Sequence, residues 1–252
     1  MELPLSTWMT IEIWRTALVF LRIGTTFMLL PGFGEPAVPV RVRLLTALAV
    51  AFSCAQATPN MPVEVPGAWG MVFAIAAEMV AGGLIGTIAR TIVAASLMAG
   101  SVIGLNIGLA NVFALGLGPD QSAAIGAAIY IGLAAALFAL SGHHAVLHAI
   151  VDSYAVVPAG HFLDIAAGAR AVTLAGVQSF RLAGQLAMPF LLLALAFNVS
   201  LAMMNRALPA LPVFMLASPA IVAAGLYLLA ATAPGLIDQG TLAWDEMLKL
   251  LY

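Results

Sequence analysis

Between residues 79 and 119 the only charged side chain is Arg90. A soluble domain averages about a quarter charged residues, so a run like this cannot present a wettable surface. Crossing hydrocarbon as a helix takes about 20 apolar residues. The run is therefore too long for one straight span. Either two legs meet near Arg90, or a bent helix leads into a loop beyond Gly108.

The rest of the chain has the same character. Of its 252 residues 63% are hydrophobic and 8% charged, with a mean hydropathy of +1.09. That composition specifies an all-α, polytopic integral membrane protein. The net charge of −2 is too small to point to nucleic acid or another polyion. A single cysteine, Cys54, excludes an internal disulfide and a cysteine-based metal cluster. Acidic residues stand near the start where a signal peptide would be basic, so the first apolar run is expected to remain in the mature chain.

About six hydrophobic helical segments, arranged as hairpins, are expected. Residues 13–30 hold Arg15 and Arg22, the latter near mid-segment, where a charge must face protein or water. Pro31, Pro36 and Pro39 break the next stretch, and Arg41 with Arg43 forms a basic pair behind them. Residues 44–61 follow, then a segment from Trp69 that contains Glu78, then residues 123–140. Residues 182–205, with Pro189 inside, and residues 207–237 complete the set, and the tail from Trp244 is short and amphipathic. The arginines do not alternate between successive loops as the positive-inside pattern requires. That irregularity fits hairpins that enter an assembly and do not all cross lipid.

Small residues recur at helical spacing. Gly82 and Gly86, then Gly100, Gly104 and Gly108 with Ser96 ahead of them, predict a helix face bare enough for another backbone to approach. This is the expected helix-packing seam. Beyond Gly108 the period is lost, and Asn111, Val112, Phe113, Ala114, Leu115, Gly116, Leu117 and Gly118 form a greasy, glycine-containing loop closed by Pro119 and Asp120.

The ionisable residues suggest little chemistry. His144 and His148 have the spacing of two metal ligands on one helix face, with His143, His161 and Asp164 nearby. No acidic residue completes a known zinc motif, and a polar segment at a membrane interface accounts for the cluster better. Ser101 and Ser141 do not reproduce the turn of an intramembrane serine protease, and no phosphate-binding loop is present. No enzyme activity, cofactor or metal is expected. Glu78 is the one good candidate for an acid inside a span, with Arg22 as a possible partner. A structural ion pair, or a residue facing a partner protein, explains it better than a proton relay.

Several separated strings resemble one family, the FliR export-gate proteins of the bacterial flagellum, which are similar to the SctT-type proteins of injectisomes. These are Arg22-Ile-Gly through PGFGEPAVPVRVRL, then Glu78 with Gly82, Gly86 and Arg90, then GSVIGLNIGLAN. SGHHAVLHAIVDSYAVVPAG and FRLAGQLAMPFLLLALAFNVSLAMMNRALPALPVF follow in the family's order. Ser141, the turn Ala210-Leu211-Pro212 and Ile221 depart from the family's usual residues.

The resemblance implies a non-enzymatic subunit of a flagellar type III protein export gate in the bacterial inner membrane, within the basal body. FliP-like and FliQ-like subunits would complete a helical channel with it for unfolded substrate proteins. FlhB-like and FlhA-like components are further implied partners, beside membrane lipid. Residues up to about 165 would be the FliP-like part, and residues from about 166 to 252 a FliQ-like hairpin. The loop at residues 111–118 would be a channel plug, for which Val112, Phe113, Leu115 and Leu117 offer a dry seal. Arg22, Arg41, Arg43, Glu78, Arg90 and Arg206 are the expected contacts to neighbouring subunits or headgroups. The alternatives are an injectisome gate subunit or a stand-alone secondary transporter with helices broken at Pro and Gly.

Overall fold

A computed structural model of the chain describes residues 4–58, 61–62, 64–108, 123–207 and 213–248. Among the described residues all regular structure is helical, in seven helices. These are α1 (Leu5–Leu29), α2 (Val40–Cys54), α3 (Ala68–Asn106), α4 (Ala123–Ala139), α5 (Gly142–Val156), α6 (Ile165–Ala207) and α7 (Val213–Leu248). Proline sets the early boundaries. Pro4 and Pro39 immediately precede α1 and α2, their fixed φ of −58° and −57° leading the chain into each first turn.

Several helices are longer than the expected segments. The charge-poor run as far as residue 106 lies in one helix of 39 residues, and the mixed stretch after residue 165 joins the apolar one behind it in a helix of 43 residues. At 1.5 Å per residue these measure about 58 and 64 Å, roughly twice the hydrocarbon thickness. Pro189, Pro219 and Pro234 lie inside helices and do not end them. Among the described residues three helices are long and apolar enough to cross a membrane: Ala68–Asn106, Ile165–Ala207 and Ala217–Glu246. A fourth span results if Ile125–Ala139 and Gly142–Val156 count as one broken segment. With only 15 residues, α2 is too short for a full crossing.

The chain divides into two compact units that interleave in sequence. The first gathers Met1–Thr91, Phe138–Val177 and Trp244–Tyr252. Its interior is built from Leu18, Ile23 and Phe27 of α1, Ile85 and Ile88 of α3, and Ile150 and Tyr154 of α5. A run of aromatic contacts lines one side: Phe27 stacks on Phe33 with centroids 4.9 Å apart, Phe33 meets Phe138, and Phe138 stacks on His143. Gly32, at φ +84°, lies so close under the Phe138 ring that a Cβ there would strike it. The tail also belongs here, because Trp244 is buried and its indole N–H donates to the Gly142 carbonyl at 3.2 Å.

The second unit comprises Ile92–Leu137 and Gln178–Ala243. Ile103 of α3 and Ile107 just beyond its end pack with Ala187 and Phe190 of α6, and Val222, Leu228 and Leu229 of α7 close over them. The backbones of α3 and α4 approach through two glycines, Gly100 and Gly126. A Cβ on either would run into the other helix.

Candidate functional site

Arg22 lies in the third quarter of α1 with its side chain fully buried. An unpaired guanidinium in that position would be prohibitive, so its donors must all be met within the protein. Glu78 of α3 supplies the counter-charge and is also fully buried. The Arg22 Nε–H donates to Glu78 Oε2 at 2.7 Å and Nη2–H to Oε1 at 3.1 Å, a two-point pairing of fork and carboxylate.

The remaining donors reach the third wall of the site. Arg22 Nη1–H donates to the Ser153 hydroxyl at 2.8 Å, and Nη2–H to the Val157 carbonyl at 3.2 Å. The guanidinium carbon lies 3.6 Å from the centre of the Tyr154 ring, a cation–π contact in a dry setting. The Tyr154 hydroxyl donates to Glu78 Oε2 at 2.9 Å, and the Gly160 N–H donates to Oε1 at 2.9 Å. Gly160 can present that N–H because it holds φ +76°, a conformation closed to most side chains. Each carboxylate oxygen thus accepts two hydrogen bonds, and the charges are matched inside the unit. Such an arrangement holds α1, α3, α5 and the turn behind α5 in register. It has the build of a clamp, since neither charge is open to solvent.

The glycines beside Glu78 make the clamp short. Gly82 faces the Arg22 carbonyl and Thr25 Oγ1 so closely that a Cβ there would clash with both. The Thr26 hydroxyl donates across the gap to the Gly82 carbonyl at 3.0 Å. One turn later, a Cβ on Gly86 would come within 2.8 Å of Leu29 Cβ. Small residues on α3 therefore let α1 approach near enough for the Arg22 side chain to fold onto Glu78.

Gly82, Gly86 and Gly100 form a close-packing seam, but the backbones that fill it belong to this chain, so their bare faces are already occupied and not left for a neighbouring subunit. Gly104 is buried on the same helix. Gly108 is not part of a seam. It stands two residues beyond the end of α3 at φ +74°, with its N–H bonded to the Leu105 carbonyl, and it terminates the helix. Arg22 and Glu78 turn inward, so neither side chain is available to a headgroup or another chain. Arg43 is also turned inward, donating to the carbonyls of Val38, Glu35 and Gly34 and so tying down the connection between α1 and α2. Arg41, Arg90 and Arg206 are exposed. The loop residues 111–118 lie outside the described residues.

In the histidine segment, the His143 and His144 ring centroids are 4.3 Å apart, and His161 Nδ1 lies 3.1 Å from the Ala159 carbonyl. Among the described residues no group of three or more His, Cys, Asp or Glu side chains is placed to hold a metal ion.

Comparison with known sequences adds the family. The chain matches the family model described as bacterial export proteins, family 1, over residues 13–247. It belongs to that family. Among its relatives, the flagellar biosynthetic protein FliR of Caulobacter vibrioides is 30% identical over 243 residues, covering 95% of this chain and 96% of that protein. FliR of Escherichia coli K12 is 28% identical over 97% of this chain and 92% of its own length. FliR of Aquifex aeolicus is 27% identical over 86% and 84%. The family match spans every element of the Arg22–Glu78 centre, from α1 to the turn at Gly160. Ser153, Tyr154, Val157 and Gly160 carry no charge and were not legible as part of that centre. The only signal was that they lie in the polar patch SGHHAVLHAIVDSYAVVPAGHFLD, which interrupts the apolar segments.

Proposed function

We propose that this bacterial export protein is a non-enzymatic subunit of the flagellar type III protein export gate. In that role it assembles with FliP-like and FliQ-like subunits in the inner membrane, at the base of the flagellum, as a channel for unfolded substrate proteins. The observation that carries the reading is the nearly full-length match to the export family and to relatives named FliR. The residues up to about 165 are the FliP-like part of the proposal, and those from about 166 to 252 the FliQ-like hairpin.

The bare C-terminal hairpin supports an assembled state. Within the chain, 44% of the most apolar window of α3 is buried, against 22% for α6 and 11% for α7. Phe180, Met188, Leu192, Leu195 and Met203 of α6 are more than half exposed. Helices that apolar, with so little of the chain against them, require lipid or other subunits over them. Arg41, Arg90 and Arg206 are exposed and available for contacts with subunits or headgroups. FlhB-like and FlhA-like components are the further partners in this proposal, and residues 111–118 are its channel plug.

The test is complementation with co-purification. In a strain lacking its own FliR, the tagged chain with its cognate FliP-like and FliQ-like subunits is expected to restore motility and to purify as a complex with both. Purification as a lone chain, together with unchanged flagellation when its gene is deleted from the native host, overturns the proposal.

A further inference from the structure

One face of α3 is turned away from the rest of the chain. At helical pitch Trp69, Val80, Gly83, Arg90, Leu97 and Leu105 share it, and every side chain among them is exposed. We propose, on the export-gate reading, that the stretch from Val80 to Arg90 docks an apolar helix of a neighbouring gate subunit. That helix carries a small residue opposite Gly83 and a carboxylate opposite Arg90, about seven residues apart, as the two are on α3.

Length selects protein over lipid as the cover. From Trp69 to Leu105 the face runs about 54 Å, at 1.5 Å per residue. Tilted by the usual ~20°, it still rises about 51 Å through a hydrocarbon layer about 30 Å thick. Roughly 20 Å of apolar helix face therefore stands outside the acyl chains, and only protein can keep water off it. Arg90 lies within the face with apolar residues on both sides, and among the described residues it has no hydrogen-bond or ion-pair partner. A lipid phosphate reaches it only at headgroup level, a carboxylate on a docked helix at any depth.

Gly83 fixes where that helix comes closest. Gly82, Gly86 and Gly100 on the same helix are filled by this chain's own atoms, whereas nothing lies within 4 Å of the place a Gly83 Cβ would take. A glycine weakens a helix interior, and acyl chains gain nothing from a bare backbone, but a second helix gains close contact along it.

The test uses the full-length chain co-expressed with its cognate FliP-like and FliQ-like subunits, with a photoreactive benzophenone side chain at Val80. Peptide mapping is expected to find the adduct on a helix of a neighbouring subunit that bears the small residue and the carboxylate. Gly83→Leu is expected to lower recovery of the complex about tenfold, while the melting temperature of the lone chain in detergent holds, because the space is empty there. Arg90→Glu is expected to lose the complex, and reversal of the neighbour's carboxylate to lysine to restore it. If the unaltered chain forms no complex, the export-gate reading falls and this docking face with it. A complex that tolerates Gly83→Leu or Arg90→Glu, a charge reversal that restores nothing, adducts confined to lipid, or a lone chain destabilised by Gly83→Leu overturns the docking face alone.

Discussion

Arg22 and Glu78 stand 56 residues apart in sequence, yet their side chains meet through two hydrogen bonds with neither exposed to solvent. The pair is surrounded by groups that complete its hydrogen bonding, so the energy at stake lies in the whole cluster and not in one contact.

Removing either charge leaves the other buried without a counter-ion. Arg22→Ala or Glu78→Ala is expected to destabilise the chain by about 3–5 kcal/mol. Thermal unfolding in mild detergent and abundance in the membrane would read that loss. The double change to leucine is expected to lose less than the sum of the two. It still falls short of the original chain, because the Gly160 N–H and Val157 carbonyl are orphaned at about 1–3 kcal/mol each. Strict additivity would show that the two residues are not coupled.

The close approach of α1 and α3 makes neighbouring glycines behave differently. Gly82→Ala forces a Cβ into the Arg22 carbonyl and is expected to destabilise by about 1–3 kcal/mol. Gly83 has open space around it, so Gly83→Ala is expected to stabilise by roughly 0.5–1 kcal/mol through helix propensity alone. Melting temperatures of the two variants should move in opposite directions.

At the end of α3 the constraint is conformational. Gly108→Ala keeps ample room, since the nearest atoms lie 3.7 Å away, but it must hold φ +74°. It is expected to lose about 1–2 kcal/mol, with Gly108→Asn recovering most of that. Equal stability of both variants with the original chain would mean that this left-handed residue is not maintained.

Residues 111–118 carry the sealing role within the proposed gate. Their deletion is expected to leave co-purification with FliP-like and FliQ-like subunits intact and to make the membrane permeable to small ions. Ion flux into vesicles holding the assembled variant measures this, and a tight membrane would dismiss the seal.

Much of the architecture was legible because hydrocarbon leaves few choices. The length and apolarity of the segments specify helices, and two charges within otherwise apolar segments point to each other. Gly82 and Gly86 were equally legible as a close-packing face, but spacing carries no information on which backbone fills it, and that backbone proved to be α1 of the same chain. Gly126 escaped notice because the other glycine of α4, Gly132, stands six residues away, off the spacing that marks a close-packing helix face. Gly108 continues the four-residue spacing in sequence while its backbone has already left the helix. Ser153 and Tyr154 were hidden for another reason: uncharged hydroxyls become part of an ionic centre only once folding brings them to it.

The order of synthesis gives the same centre a temporal side. The Val157 carbonyl follows Arg22 by 135 residues and Glu78 follows it by 56. At ~5–20 residues per second, the ribosome delivers the counter-ion after about 3–11 s and the last wall after about 7–27 s. Before Glu78 is made α1 carries a cation with no counter-ion, and until Ser153 and Val157 follow the pair lacks the partners it needs in its final apolar surroundings. The first helix made is therefore among the last to be secured, and a chain truncated before α5 should leave the Arg22–Glu78 pair without its remaining hydrogen-bond partners, a signal of incompleteness that quality-control proteases can read.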